Sequence, residues 1–231
     1  MIEMKVMKNR KEWLGKRSKY IGGSDCACIL GLNPYKSNVD LYLEKIGEKQ
    51  SQDISDKPQV KFGIAAEPII RELFQINYPQ MQMNYVENNN FINDKYPFAR
   101  ASLDGWLTDQ DGINGIWECK TSQIVSSAVK EKWNDQVPDN YYCQILHYFL
   151  VREDCDFAIL TALLTWDYSE KEPYQQLRNY RFERSDVKEE VKEEAKEEAK
   201  QWVSFKCLLT VSQARALGRF FKENNITFME D

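Results

Sequence analysis

Two stretches of the chain carry apolar residues at helical spacing, and both predict amphipathic helices. In the first, Ala66, Ile69, Ile70, Leu73 and Phe74 follow one another at i, i+3, i+4, i+7 and i+8. This spacing places all five side chains in one stripe along a helix. A second stripe with the same spacing lies between residues 142 and 150. We therefore expect two helices that each bury one face.

Shorter helices are predicted near the N-terminus. Residues 9–18 have helical character, and the Gly22–Gly23 pair opens a second, short helix. We expect Ser24 to be its N-cap, because a serine side chain can accept a backbone hydrogen bond there. Gly31 is the expected end of this helix, since glycine tolerates the left-handed conformation that follows many helices.

A third short helix is indicated by a capping box. Ser37 is followed three residues later by Asp40, and these two side chains can cap each other's backbone N–H groups. This helix is expected to end near Gly47. The polar residues 48–58 then predict a loop before the first amphipathic helix.

Strand-like segments dominate the middle of the chain. The sequence between Asp109 and Gly115 is typical of a hairpin turn. The apolar run at 157–164 predicts a strand that is buried on both faces. The expected strands are 83–93, 97–107, 115–122, 157–164 and 175–184. Together with the helices, they predict an α/β fold, a mixed central sheet flanked by helices.

The C-terminal part of the chain has a repetitive, highly charged composition. Residues 188–200 read KEEV-KEEA-KEEA-K, in which Val191, Ala195 and Ala199 form a thin apolar line. Glutamate and lysine at helical spacing favour a solvated helix, docked at most along one edge.

This change of composition also suggests a division of the chain. We expect a main domain at residues 1–185 and a C-terminal helical extension at 186–231, packed on or beside it. One more amphipathic helix is expected around residues 214–221.

Composition narrows the classes of protein that the chain can be. The hydrophobic fraction of 42% supports a real core, and no apolar run approaches membrane-spanning length. The N-terminal residues lack the apolar stretch of a secretory signal, so a cytoplasmic location is expected. The net charge of −5 argues weakly against a nucleic-acid partner, although a local basic groove can offset an acidic total.

Cysteine and histidine usage excludes several kinds of site. Six cysteines are present without a CxxC pair, and we expect free thiols rather than a zinc or iron–sulfur site. A single histidine, His147, leaves little room for histidine-rich metal centres.

The chemistry is predicted by Asp104, Glu118 and Lys120. Glu118 and Lys120 lie two residues apart on a strand and therefore share a face. The predicted hairpin brings Asp104 close to Glu118. Two neighbouring carboxylates repel each other unless a cation lies between them, and oxygen ligands favour Mg²⁺, or Mn²⁺, over zinc. Such a cation can activate water at a phosphodiester, and Lys120 can orient that water or stabilise phosphate charge.

Other residues strengthen this prediction, and each has a plainer interpretation. Glu67 can add a carboxylate or be a solvated helix residue, and Gln144 can hold a water or be a core amide. Arg17 and Ser24 flank the glycine pair and together form a phosphate pocket. Ser24 taken alone is better explained as an N-cap. Tyr141, beside Gln144 on its helix, is a further candidate for contact with DNA.

Several segments together resemble the YqaJ-type viral recombinase family, whose members are related to phage lambda exonuclease. The resemblance covers residues 13–165, in the family's order. Its motifs are Trp13…Arg17…IGGSDCACILGLNPYKS, FGIAAEPIIRELF, ASLDGWL, WECKTS and VPDNYYCQILHYFLV. The proline that usually precedes the first aspartate of the family's nuclease motif is absent, since Leu103 precedes Asp104.

The resemblance implies a restriction-endonuclease-like fold with a PD-(D/E)xK nuclease site. It implies that Asp104, Glu118, Glu67 and the Cys119 carbonyl bind the metal, while Lys120 is the catalytic lysine and Gln144 completes the site. Arg17 and Ser24 match residues that hold a terminal 5′-phosphate.

The implied activity is 5′-to-3′ digestion of duplex DNA in phage-type recombination, within a bacterial host. The implied partners are duplex DNA ends, a single-strand annealing protein and further copies of this chain, with no membrane partner.

Three other functions are open on the residues alone. The chain could be a structure- or sequence-specific endonuclease on the same fold, or a DNA-binding module without activity. A serine hydrolase using Ser24 and His147 is a further alternative, although no nucleophile-elbow pattern surrounds Ser24.

Overall fold

The structure of the chain is a computed structural model that describes residues 1–166 and 174–204, together with 219, 222 and 223. Its helices in the described ranges are α1 Arg10–Arg17, α2 Gly23–Ile29, α3 Asn38–Lys45, α4 Pro58–Asn77, α5 Ser127–Glu131, α6 Asp139–Val151 and α7 Lys188–Ser204. None of these helices is both long and apolar enough to cross a membrane.

The strands of the described residues form two sheets. They are β1 Ile2–Val6, β2 Ile21–Gly22, β3 Gln82–Asn84, β4 Asn89–Asn93, β5 Ala99–Ala101, β6 Gly105–Thr108, β7 Asn114–Ile124, β8 Phe157–Trp166 and β9 Tyr174–Glu183. One sheet has the order β3-β6-β7-β8-β9 and the other the order β1-β4-β5-β2. Each sheet combines parallel and antiparallel pairs, so the predicted mixed α/β fold is confirmed.

The larger sheet lies between two helical layers. On one side α4 buries Ala66, Ile70 and Phe74 against Trp117 of β7. On the other side α6 joins the main apolar core, in which Ile145 and Phe149 are fully buried. β7 and β8 pair in parallel at the centre of this sheet. Alternate side chains of β8 enter the two apolar clusters on opposite faces, so the prediction that the run at 157–164 is a strand buried on both faces is confirmed.

The two long strands expected at 83–93 and 97–107 are each divided between the two sheets. The side chain of Asn89 explains this division. It donates a hydrogen bond to the Leu103 carbonyl and accepts one from the Leu103 N–H, both at 2.8 Å. A side chain thus satisfies backbone groups that a neighbouring strand would otherwise bind, and the chain passes from one sheet to the other just before Asp104.

The predicted apolar stripe of α4 is only half buried. Ile69 and Leu73 are 58% and 43% exposed, whereas Ile70 and Phe74 are buried. The prediction that all five residues pack inward was therefore wrong. Ala66, Ile70 and Phe74 face the sheet, and the outer edge of the stripe faces solvent.

The predicted cap of α2 was also wrong by two residues. The N-cap is Gly22, and its N–H donates a 3.0 Å hydrogen bond to Asp25 Oδ2. Ser24 lies inside the first turn, which frees its hydroxyl for another partner. The other predicted boundaries hold: Ser37 and Asp40 cap α3, and Gly31 and Gly47 have positive φ after α2 and α3.

Helix α7 is more deeply packed than a solvated helix. Val191, Ala195 and Ala199 are buried as the thin apolar line predicted, but Glu194 and Glu198 are buried with them, at 3% and 0% exposure. The reason is that α7 packs across both α6 and α2, so the contact is wider than one line of small residues.

Strand β1 had no predicted counterpart. The five cysteines of the described ranges are buried free thiols, as expected, whereas Cys207 lies outside those ranges. The helix expected at 214–221 also falls outside the described residues, apart from position 219.

Candidate active site

The β6–β7 hairpin brings Asp104 and Glu118 to the same end of the larger sheet. Gly105 is paired with Trp117 in the antiparallel register, so Asp104 and Glu118 occupy the next step beyond the last pair. At that step β6 has ended, and the Cys119 N–H donates a 3.0 Å hydrogen bond to Asp104 Oδ2 instead of to a strand. The carboxyl of Asp104 therefore caps the open edge of β7.

Glu118 is almost fully enclosed. Its side chain is 2% exposed, and its Oε1 accepts hydrogen bonds from Lys120 Nζ and, at 2.8 Å, from Gln144 Nε2. Its second oxygen, Oε2, is buried without a hydrogen-bond partner. Buried polar atoms are nearly always satisfied, so this oxygen marks a position where a ligand can bind.

Burial and neighbouring charges shift the pKa values of Glu118 and Lys120 in the same direction. Burial, and then repulsion by Asp104, raises the pKa of Glu118 to about 8. Burial alone would lower the pKa of Lys120, but attraction to Glu118 and Asp104 outweighs it and raises that pKa above its usual value. Lys120 therefore keeps its charge at neutral pH, whereas Glu118 needs a further cation to ionise fully.

Gln144 is held in place from two sides. Its Nε2 donates to Glu118 and also, at 2.6 Å, to the hydroxyl of Tyr148. The Tyr148 hydroxyl in turn donates to the Ser102 carbonyl at 3.0 Å, just upstream of Asp104. Gly23 packs directly on this pair: a Cβ at position 23 would lie 2.6 Å from the Tyr148 ring and 3.0 Å from Gln144 Cγ. The start of α2 therefore requires glycine to approach the site.

Glu67 reaches the site from the α4 side of the sheet. It is paired with Arg71, whose Nε also donates to the Asp104 carbonyl at 3.1 Å. Partial burial, and then repulsion by Asp104, raises the pKa of Glu67 to about 7. The charge of Asp104 therefore acts on Glu67, and Arg71 links the two residues by contacting the Glu67 carboxylate and the Asp104 carbonyl.

Arg71 was not among the residues singled out from the sequence. Its guanidinium lies 3.6 Å from the centroid of the Tyr85 ring, in addition to its contacts with Glu67 and Asp104. The i, i+4 spacing of Glu67 and Arg71 on a helix was the available signal. Its contact with the Asp104 carbonyl depends on how α4 packs on the sheet, which the spacing does not show.

Arg17 and Ser24 meet at the exposed start of α2. A guanidinium N–H of Arg17 donates to the Ser24 hydroxyl, and the guanidinium lies 5.0 Å from the centroid of the Trp13 ring. The Trp13 indole N–H donates to the Ser102 hydroxyl at 3.0 Å, which ties this pair to the segment that leads into Asp104. Tyr141 lies closer to the acids, with its ring 5.0 Å from Lys120 Nζ.

The three candidate acids do not converge on one point. Within the described ranges, the group of three or more potential ligands that lie within 4.8 Å of one another is Cys26, Glu194 and Glu198. Glu67, Asp104 and Glu118 do not form such a group. Each accepts a hydrogen bond from its own protein donor: Arg71, the Cys119 N–H and Lys120 respectively.

The alternative pairing of Ser24 with His147 is not formed. Both ring nitrogens of His147 are engaged, Nδ1 with Glu198 at 2.5 Å and Nε2 with the Arg100 carbonyl at 2.8 Å. Ser24 is bonded to Arg17. The geometry of a serine hydrolase is therefore absent from these two residues.

Comparison with known proteins gives a family match over most of the chain. Residues 12–155 match the family described as the YqaJ-like viral recombinase domain. The uncharacterized protein YqaJ of Bacillus subtilis (strain 168) is 33% identical over 142 residues, which is 61% of this chain. The aligned region covers 41% of that relative, so the match spans less than half of its length.

Solved structures with the same fold include an alkaline exonuclease, LHK-Exo, from Laribacter hongkongensis. It matches with a TM-score of 0.54 and 14% identity, over 94% of this chain and all of that one. The structure of LHK-Exo in complex with dAMP matches with a TM-score of 0.51 and 11% identity, over 93% and 98% of the two chains. The likeness establishes the restriction-endonuclease-like arrangement of sheet and helices.

Proposed function

The chain belongs to the YqaJ-like viral recombinase family, and from that membership we propose that it is a metal-dependent deoxyribonuclease. The observation that carries the proposal is the meeting of Asp104, Glu118 and Lys120 at the open edge of β7. There, one oxygen of the enclosed Glu118 has no protein partner.

The donor atoms are of the kind that a hard divalent cation binds, and a side chain has to move for Glu67, Asp104 and Glu118 to bind one ion together. Asp104 and Glu118 offer carboxylate oxygens, and Glu67 lies close enough for Asp104 to raise its pKa. Cys119 donates its N–H toward Asp104; since a strand residue directs its N–H and C=O to the same edge, the Cys119 carbonyl faces this position too. An all-oxygen set favours Mg²⁺ or Mn²⁺, and a cation would offset the burial and the repulsion by Asp104 that together raise the pKa of Glu118.

The side chains suit hydrolysis of a phosphodiester. When bound, Mg²⁺ supplies Lewis-acid polarisation of the phosphate and lowers the pKa of a coordinated water. Lys120 remains protonated and places its Nζ beside Glu118, where it can orient the attacking water and stabilise charge on the phosphate. Gln144 fixes Glu118 through Oε1, which leaves Oε2 available for the cation.

The finer proposal is a 5′-to-3′ exonuclease on duplex DNA ends. Arg17 and Ser24 present a guanidinium and a hydroxyl at the surface, both suited to a terminal phosphate. They are connected to the acids through the contact of Gly23 with Gln144, which bonds Glu118. Tyr141 adds an aromatic face beside Lys120 for contact with DNA. The fold shared with the exonuclease LHK-Exo, which was also solved in complex with dAMP, is compatible with this form of the proposal.

The remaining parts of the proposal concern assembly and context. We expect homo-oligomers, cooperation with a single-strand annealing protein, and a phage or prophage origin within a bacterial host. These expectations follow from membership in a viral recombinase family.

The test is a comparison of linear and closed circular DNA. Purified protein is incubated with 5′-end-labelled linear duplex and with closed circular duplex, with Mg²⁺ or with chelator. We expect Mg²⁺-dependent loss of the linear duplex and survival of the circle, with no activity in Asp104→Asn. Nicking or linearisation of the circle would identify an endonuclease instead. Binding without cleavage under all conditions would contradict the nuclease proposal.

A further inference from the structure

A second cluster of potential ligands lies at the junction of α2, α6 and α7. Cys26 of α2 and the two glutamates of α7, Glu194 and Glu198, place one sulfur and two carboxylate oxygens within 4.8 Å of one another. All three residues are buried. The cluster is separate from the proposed active site, where the acids come from the hairpin and α4.

Two of the carboxylate oxygens in this cluster lack a protein partner. Glu198 Oε1 is bonded to His147 Nδ1 at 2.5 Å, and its Oε2 has no hydrogen-bond partner. Glu194 Oε1 is likewise buried and unpartnered. The His147 ring is fixed on its other side by the Arg100 carbonyl, so Glu198 is held with one oxygen anchored and the other free.

Without a metal ion, this environment disfavours the ionised forms of Cys26 and Glu194 that a metal would need. Burial, and then repulsion by the two glutamates, raises the pKa of the Cys26 thiol well above its usual value. Burial, and then repulsion by Glu198, raises the pKa of Glu194 to about 8. Acidic groups that are buried close together are costly to ionise. His147 pairs with Glu198, and a bound dication would also compensate the charges of Cys26 and Glu194.

We propose that Cys26, Glu194 and Glu198 bind a borderline transition-metal dication of the zinc class. A thiolate ligand excludes Mg²⁺ and Ca²⁺, which take oxygen ligands, and mixed sulfur and carboxylate ligands suit Zn²⁺, Fe²⁺ or Co²⁺. His147 orients Glu198 through the hydrogen bond to Oε1, in the manner of groups that support metal ligands.

A metal at this site would fix the position of α7 relative to α2. Helix α7 lies outside the region of the family match, which ends at residue 155, and the metal would join it to α2. Gly23, three residues before Cys26, contacts Gln144. The metal would therefore hold α7 against α2, the helix that carries Ser24, the hydrogen-bond partner of Arg17.

The test uses Co²⁺ as a spectroscopic probe of the full chain. Chelator-treated protein is titrated with Co²⁺ in excess Mg²⁺, and the thiolate-to-cobalt charge-transfer absorption is recorded. We expect the absorption to saturate at about one equivalent of Co²⁺ and Zn²⁺ to displace the cobalt. We also expect a higher thermal unfolding midpoint with Zn²⁺ than with Mg²⁺. Absence of the charge-transfer band, or cobalt uptake without it, would overturn the proposal.

Variants assign the ligands. Cys26→Ala should abolish the band, and the isosteric Glu194→Gln and Glu198→Gln should weaken Co²⁺ affinity by at least about tenfold. Cys28→Ala removes another buried thiol of the same helix and should leave the titration unchanged, as should Asp104→Asn in the proposed active site. A band that persists in Cys26→Ala, or that disappears in Cys28→Ala, would refute this ligand set.

Discussion

Glu118 shows how single residues define the chemistry of this protein. Burial, and then repulsion by Asp104, raises the pKa of its carboxyl to about 8, so without a further cation most of it is protonated at neutral pH. Lys120 and Gln144 both donate to the same oxygen, and the other oxygen is left free. This asymmetry distinguishes a ligand position from an ordinary buried ion pair, in which both oxygens would be satisfied.

Replacing Lys120 with methionine should separate catalysis from folding. The substitution keeps the aliphatic length but removes the charge beside Glu118, so we expect DNA cleavage to fall by about 100-fold or more. Cleavage rates and circular dichroism measure the two effects separately. Lys130→Met, at an exposed position on α5, is the matched control. Wild-type turnover in Lys120→Met would remove this lysine from the mechanism.

Arg17 should determine the preference for phosphorylated ends. Its guanidinium and the Ser24 hydroxyl are the groups proposed to bind a terminal phosphate. We expect Arg17→Ala to bring the rate ratio between 5′-phosphorylated and 5′-hydroxyl duplexes close to one. Arg10→Ala alters the other arginine near Trp13 and should keep the wild-type ratio. An unchanged ratio in Arg17→Ala would mean that the pair does not recognise the phosphate.

At the scale of elements, the position of the β6–β7 hairpin is determined locally, whereas that of helix α4 is determined by tertiary packing. The hairpin is a local structure, and its register alone places Asp104 beside Glu118. Helix α4 is set by its packing on the sheet, which covers Ala66, Ile70 and Phe74 but not the neighbouring Ile69. Adjacent isoleucines on one helix therefore have different energetic roles.

The adjacent isoleucines of α4 provide a matched stability experiment. Ile70 is 2% exposed, so Ile70→Ala should destabilise the protein by about 2–5 kcal/mol through lost burial and a cavity. Ile69→Ala should change the free energy of unfolding by no more than about 0.5 kcal/mol. Urea denaturation of both variants measures the difference. Equal destabilisation would show that another surface covers the outer edge of α4 in solution.

At the scale of the whole molecule, α7 behaves as part of the main body. It buries Val191, Ala195 and Ala199 in the main apolar core and supplies Glu198 to His147 of α6. The amino-acid composition therefore changes at the boundary proposed at residue 185, but the packed core continues across it into α7. Residues 186–204 complete a surface that the preceding residues leave open.

Removing α7 should expose this surface. A chain ended after residue 186 loses four buried apolar residues, Val187, Val191, Ala195 and Ala199, and the partner of His147. We expect a loss of roughly 3 kcal/mol or more in unfolding free energy, seen as a lower melting temperature or aggregation. A chain ended after residue 204 is the control. Equal stability of the two truncated chains would support an independent extension.

Local patterns were sufficient to predict the fold class, most element positions and the meeting of Asp104, Glu118 and Lys120. Hydrophobic periodicity and the residue preferences of turns are properties of a few neighbouring residues, and the register of a hairpin follows from its turn. Such features can therefore be predicted from the sequence. The tertiary structure was needed for contacts between distant segments. It showed that Asn89 divides the expected strands, that Arg71 reaches the Asp104 carbonyl, and that Glu194 and Glu198 are buried. The sequence of a KEEA repeat does not indicate whether its glutamates are exposed or buried, because burial depends on which other elements pack against the helix.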